Sequence, residues 1–126
     1  MKKTILGSLL VLGLATAASG NSLTIVNTTG CTIYGITQGG AFSAPPGNTS
    51  FASPANVANP SAPPSGTFSS VTFDVTSSYL NPVYVGNGVF NGCSATSGTS
   101  PACNGGTPFC WNFLYNAAGN LTLIFF

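Results

Sequence analysis

The chain has 126 residues, of which 44% are hydrophobic, and its formal charges come from two Lys/Arg and one Asp/Glu, with no His. That composition excludes most catalytic chemistry. A paired-carboxylate glycosidase lacks its second acid, Ser-His-Asp and Cys-His hydrolases lack their base, and a hydrolytic metal site lacks the His or carboxylate cluster that would hold the ion, so neither an enzyme nor a cofactor is expected.

Both cations, Lys2 and Lys3, open the stretch MKKTILGSLLVLGLATAASG. A basic start, an apolar run from Ile5 to Leu14 and small residues from Ala15 to Gly20 are the parts of a secretory signal peptide, and the run is shorter than the ~20 apolar residues of a spanning helix. Residues 1–20 are therefore expected to be a cleavable leader, cut after Ala17 or Gly20, and residues 21–126 a single domain. That domain contains no Lys or Arg, so it has nothing to offer a phosphate backbone, and no nucleic-acid partner is expected. Nor is a membrane span expected after cleavage.

SLTIVN and CTIYGIT alternate apolar and polar residues around the turn Asn27-Thr28-Thr29-Gly30, a pattern that predicts a β-hairpin. Residues Ala41 to Gly66 are crowded with Pro, Ser, Ala and Asn and read as a long connection within the domain, because neither flank alone has enough strands to close a core. TFSSVTFDVT sets Val71, Phe73 and Val75 on one face and Thr72, Asp74 and Thr76 on the other. Asp74, the only acid, is thus expected to face away from the core, as a solvated residue or an acceptor for nearby Thr and Ser hydroxyls, in preference to a ligand contact or a calcium site.

PVYVGN sets Val83 and Val85 opposite Tyr84. CWNFLYN sets Trp111, Phe113 and Tyr115 opposite Cys110, Asn112 and Leu114, and beyond the turn NAAGN the segment LTLIFF sets Leu121, Leu123 and Phe125 opposite Thr122, Ile124 and Phe126. No segment keeps a helical period, since Gly and Pro interrupt every candidate. The expected fold is all-β: about seven short strands in a small single-domain β-sandwich, with a barrel as the second choice.

Cys31, Cys93, Cys103 and Cys110 form an even set in a chain with a secretory leader, which predicts two disulfides rather than a zinc site, for which a C-x-x-C knuckle is missing. The expected pairing is Cys93–Cys103, closing the loop CSATSGTSPAC on itself, with Cys31–Cys110 across two strands. Asn-x-Ser/Thr triplets begin at Asn27, Asn48 and Asn120, but such triplets arise easily in a chain this rich in Asn and Thr.

The opening LTIVNTTGCTIYGI together with APPGNTSF resembles small secreted bacterial β-sandwich proteins in which a strand, an N-x-T-G-C turn and a second strand precede a P-P-G loop. The resemblance covers about a third of the expected mature chain and rests on turn chemistry. It implies secretion and a sandwich, and no activity. The same opening is similar to the first hairpin of thaumatin-like proteins, but the many cysteines and acidic cleft of that family are missing here, so no function carries over.

Two functions are left. The first is an extracellular structural or surface protein that self-assembles through uncharged sheet edges and faces, for which Leu121, Leu123, Ile124, Phe125 and Phe126 form an unguarded strand edge. The second is a secreted glycan- or peptide-binding module that uses Tyr34, Tyr79, Tyr84, Trp111 and Tyr115 with neighbouring Asn side chains. Both place the protein outside the cell or on its surface, with itself as the main partner and a glycan as the other.

Overall fold

A computed structural model describes residues 20–57, 66–94 and 101–126. Within them lie nine strands: β1 (Leu23–Asn27), β2 (Ile33–Thr37), β3 (Gly40–Ala44), β4 (Gly47–Phe51), β5 (Ser70–Asp74), β6 (Val83–Gly86), β7 (Asn91–Cys93), β8 (Cys110–Tyr115) and β9 (Leu121–Phe125). They form a five-stranded sheet, ordered β4-β1-β9-β8-β7, packed on a four-stranded sheet, ordered β3-β2-β5-β6. The domain is the all-β sandwich that the alternation calls for. Except for Gly20, the expected leader lies outside the described residues. So do residues 58–65 of the Ala41–Gly66 segment and most of the Cys93–Cys103 loop.

Strict alternation decides what each strand buries. β1 and β9 both bury every second residue, Leu23, Ile25 and Asn27 in one and Leu121, Leu123 and Phe125 in the other. Ile33, Phe42, Val71, Phe73 and Val85 close the core from the opposite sheet. Phe73 stands edge-on to Trp111 at 5.2 Å and to Phe125 at 4.8 Å, joining β5 to β8 and β9. Such pairs contribute ~0.5–1.5 kcal/mol each beyond the area they bury.

Three expectations change. The turn after β1 does not make a hairpin, because β1 and β2 belong to different sheets and Thr28–Thr32 is an arch between them. The start of Ala41–Gly66 is not a bare connection: it supplies β3, paired with β2 through a tight turn at Gln38-Gly39, and β4, paired with β1. Finally, β9 is no edge. It lies in the middle of its sheet, parallel to β1 and antiparallel to β8, so Leu121, Leu123 and Phe125 are core residues, while Thr122 and Ile124 are half-buried on the outer face beside the exposed Phe126.

One side chain explains the arch. Asn27 is buried; its Nδ2 donates to the Cys31 carbonyl at 2.7 Å and to the Ala44 carbonyl at 3.1 Å, while its Oδ1 accepts from the Thr29 amide at 3.1 Å and the Thr29 hydroxyl at 2.7 Å. The amide thereby ties together the two places where the chain changes sheet, β1 to β2 and β3 to β4. Buried in this way, Asn27 is closed to glycosylation in the folded domain.

The disulfides also differ from expectation: they are Cys31–Cys103 and Cys93–Cys110. Cys93 and Cys110 are directly opposed residues of the antiparallel pair β7–β8, so the bond staples the short edge strand to the sheet. Cys103 lies in a 3-10 turn, Ala102–Asn104, whose backbone packs so closely on the arch that a Cβ at Gly30 would collide with the Cys103 carbonyl. With sequence separations of 72 and 17, the two loops restrict the unfolded chain by about 4 and about 3 kcal/mol respectively.

Asn27→Ala should lower the unfolding free energy by about 3 kcal/mol, because it strands buried backbone partners at both crossings; urea denaturation measures this, and a loss below about 1 kcal/mol would contradict the tie. Non-reducing peptide mapping should recover Cys31–Cys103 and Cys93–Cys110, and never a Cys93–Cys103 peptide.

Candidate functional site

On β2, Ile33 and Gly35 face the core, so Tyr34 and Ile36 stand on the outer face of the four-stranded sheet. The register sets Tyr34 between Ser43 of β3 and Asp74 of β5, and places Tyr84 of β6 opposite Thr72. This face carries Tyr34 and Tyr84, whereas Tyr115 belongs to β8 of the other sheet.

Asp74 points away from the core as expected, yet it is buried, because the turn Val75–Asn81 folds back over it. Its Oδ1 accepts from the Val75 amide at 2.7 Å, and its Oδ2 accepts from the Thr76 hydroxyl at 3.0 Å and the Asn81 amide at 2.9 Å. The solvated reading is thus corrected and the hydroxyl-acceptor reading holds. The carboxylate is occupied in shaping the turn, and no group of three potential metal ligands lies among the described residues. All four cysteines are in disulfides, which leaves no thiolate for zinc and is compatible with an extracellular protein.

That turn delivers Tyr79. The Tyr79 amide donates to the Thr76 carbonyl at 3.2 Å, and Tyr79 itself takes φ 50, in the left-handed region that bulky residues rarely occupy. Tyr79 and Tyr34 then line one open cleft of about 400 Å³ together with Ala41, Phe42, Ser43 and Ser77. Burial first, and then the Asp74 carboxylate, push the Tyr79 phenol above its ordinary pKa.

The other expected aromatics lie elsewhere. Tyr84 is on the same face but does not line the cleft, and its hydroxyl accepts from Asn87 Nδ2 at 3.0 Å. Tyr115 spans the gap between the sheets, its hydroxyl donating to the Ser69 carbonyl at 2.9 Å; burial and then Tyr84 raise its phenol as well. Trp111 is a core residue at 6% exposure, packed on Phe73 and Phe109, with an indole Nε1 that has no partner among the described residues. A Cβ at Gly92 would come within 2.6 Å of that indole, so β7 crosses it at glycine. Ser43 and Ser77 escaped the sequence reading. The first stands on a strand hidden by its small residues, though Gln38-Gly39-Gly40 was a hairpin signal.

No protein-family model, curated protein or solved structure matches the chain.

Raised phenol pKa values make a signed prediction. Tyr79 and Tyr115 hold their protons more tightly when folded, so their contribution to stability is complete below about pH 10 and is lost as the pH rises through the raised folded values. Denaturation curves should show stability declining above about pH 10, and Tyr79→Phe/Tyr115→Phe should flatten that decline; an unchanged alkaline limb would contradict it.

Proposed function

We propose that this is a non-enzymatic extracellular structural or surface protein that assembles with copies of itself through uncharged faces. One observation carries the reading. Asp74 is the only charged side chain among the described residues and it is buried, so the described surface bears no side-chain charge while exposing Ile36, Leu80, Tyr84, Val89, Leu114 and Phe126. Soluble monomers normally keep roughly a quarter to a third of the surface charged, with net charge away from zero.

The correction at β9 moves the proposed contact. The association surface is the outer face of the five-stranded sheet, where the register lines up Asn48, Val26, Ile124, Asn112 and Asn91 across all five strands. Phe126 stands beside that row at 61% exposure. The described part of Ala41–Gly66 does not cover this face, because β4 lies in the plane of the sheet beside β1. Edge strands β3 and β4 add backbone groups with no charged residue to guard them, as edges of soluble monomers usually have. The leader-like start and the disulfides support export.

Without ion pairs at the contacts, the assembled fraction should stay level in sodium chloride up to about 1 M and rise in sulfate, which strengthens apolar burial. Ile124→Lys/Phe126→Lys should abolish assembly while keeping the wild-type circular dichroism. Sedimentation velocity reads both results. A wild-type protein that stays monomeric at millimolar concentration in chloride and in sulfate would overturn the proposal.

A further inference from the structure

The Tyr34–Tyr79 cleft has a composition that self-assembly does not use. Its two phenol hydroxyls and the hydroxyls of Ser43 and Ser77 make no hydrogen bond to a described residue, although most side-chain hydroxyls elsewhere on the sheets and turns, such as those of Thr28, Thr29, Thr37, Thr76 and Tyr115, do. Neither ring belongs to the core or to an aromatic pair. Two aromatic rings and four hydroxyls that have no partner among the described residues therefore meet in one shallow, open cleft of about 400 Å³.

The position of Tyr79 is costly. A non-glycine residue held in the left-handed region costs ~1–3 kcal/mol, and such residues gather where the geometry serves binding. Asn would hold the same backbone with less strain, as Asn87 does at φ 48 in the next turn. The Asp74 carboxylate keeps the Tyr79 turn in place through its bonds to Thr76 and Asn81, so the ring is presented on a fixed support.

We infer that the cleft between Tyr34 and Tyr79 binds a neutral carbohydrate chain, the aromatic rings taking the apolar faces of the sugar rings and the tyrosine and serine hydroxyls pairing with sugar hydroxyls. Ring faces suit the C–H faces of pyranoses, and hydroxyls that both donate and accept match the sugar rim. The absence of any cation among the described residues rejects uronates and sulfated sugars, which need a counter-charge, and Asp74 behind Tyr79 repels them further. Burial and the Asp74 carboxylate push deprotonation of the Tyr79 phenol to higher pH, so Tyr79 remains a hydrogen-bond donor throughout the neutral range.

Isothermal titration of the full protein with cellohexaose, chitohexaose and maltohexaose tests this, with polygalacturonate as the charged control, in the Ile124→Lys/Phe126→Lys background if assembly interferes. At least one neutral hexasaccharide should bind. Tyr34→Ala and Tyr79→Asn, the latter compatible with the left-handed backbone, should each weaken binding about tenfold or more, equivalent to ~1.4 kcal/mol. Tyr84→Ala, on the same face outside the cleft, should change it less than twofold. If Tyr79→Asn does not fold, Tyr34→Phe and Ser43→Ala serve in its place, each removing one hydroxyl and each expected to weaken binding. Binding of none of the three sugars, equal loss in Tyr84→Ala, preference for polygalacturonate, or capture of a neutral peptide instead would each overturn the inference, and none of these bears on whether the protein assembles.

Discussion

The carboxamide of Asn27 joins the two crossings that turn one chain into two sheets. It ends β1 facing inward, where an alternating strand would normally put an aliphatic residue, and it bonds the Cys31 carbonyl in the arch and the Ala44 carbonyl that ends β3. An aliphatic side chain there would leave those carbonyls without partners in a dry interior, a cost of ~1–3 kcal/mol for each group. The Thr29 hydroxyl, itself bound to Asn27, accepts from the Cys31 amide at 3.2 Å, and the Cys31–Cys103 bond fastens the far segment onto the same corner.

The opposite end of β1 repeats the device with different partners. Asn21 Nδ2 donates to the Phe68 carbonyl at 2.8 Å and the Gly119 carbonyl at 2.7 Å, and its Oδ1 accepts from the Phe68 amide at 2.6 Å. Asn120 Oδ1 accepts from the Ser22 amide at 2.9 Å, next to the point where β9 begins. With no ion pair among the described residues, neutral amides close both ends. These bonds are nearly indifferent to ionic strength, unlike surface ion pairs, which salt screens.

The same economy of charge shapes the surface. Where an acidic residue on an outer face would ordinarily add solubility, Asp74 is enclosed by its own turn and serves as a backbone acceptor. What faces outward is hydroxyl, amide and hydrocarbon. A flat face of that kind suits contact with an identical uncharged face, and a cleft of that kind suits a sugar, because both partners offer matched neutral surface rather than a counter-charge. The proposed assembly face and the proposed carbohydrate cleft lie on opposite sheets, so one domain has room for both.

Alternation alone set the all-β class and the strands that carry Leu23, Ile33, Val71, Val85, Phe113 and Leu123, because which side of a strand is apolar is a local property of the chain. Cysteine parity and the secretory pattern set the number of disulfides for the same reason. Partnership is not local. That β9 pairs with β1 at the centre of a sheet, that β1 and β2 separate into different sheets, and that Cys31 meets Cys103 all follow from contacts between residues far apart in sequence. β3 stayed hidden because Gly40, Ala41 and Ala44 carry too little apolar area to mark a strand until Phe42 is seen packed beneath Gly35. The tyrosines were visible as a set, but only the sandwich decides that Tyr34 and Tyr79 share a cleft while Trp111 lies in the core. A strand pattern fixes the face on which a side chain stands, and only the packing of two sheets fixes what stands beside it.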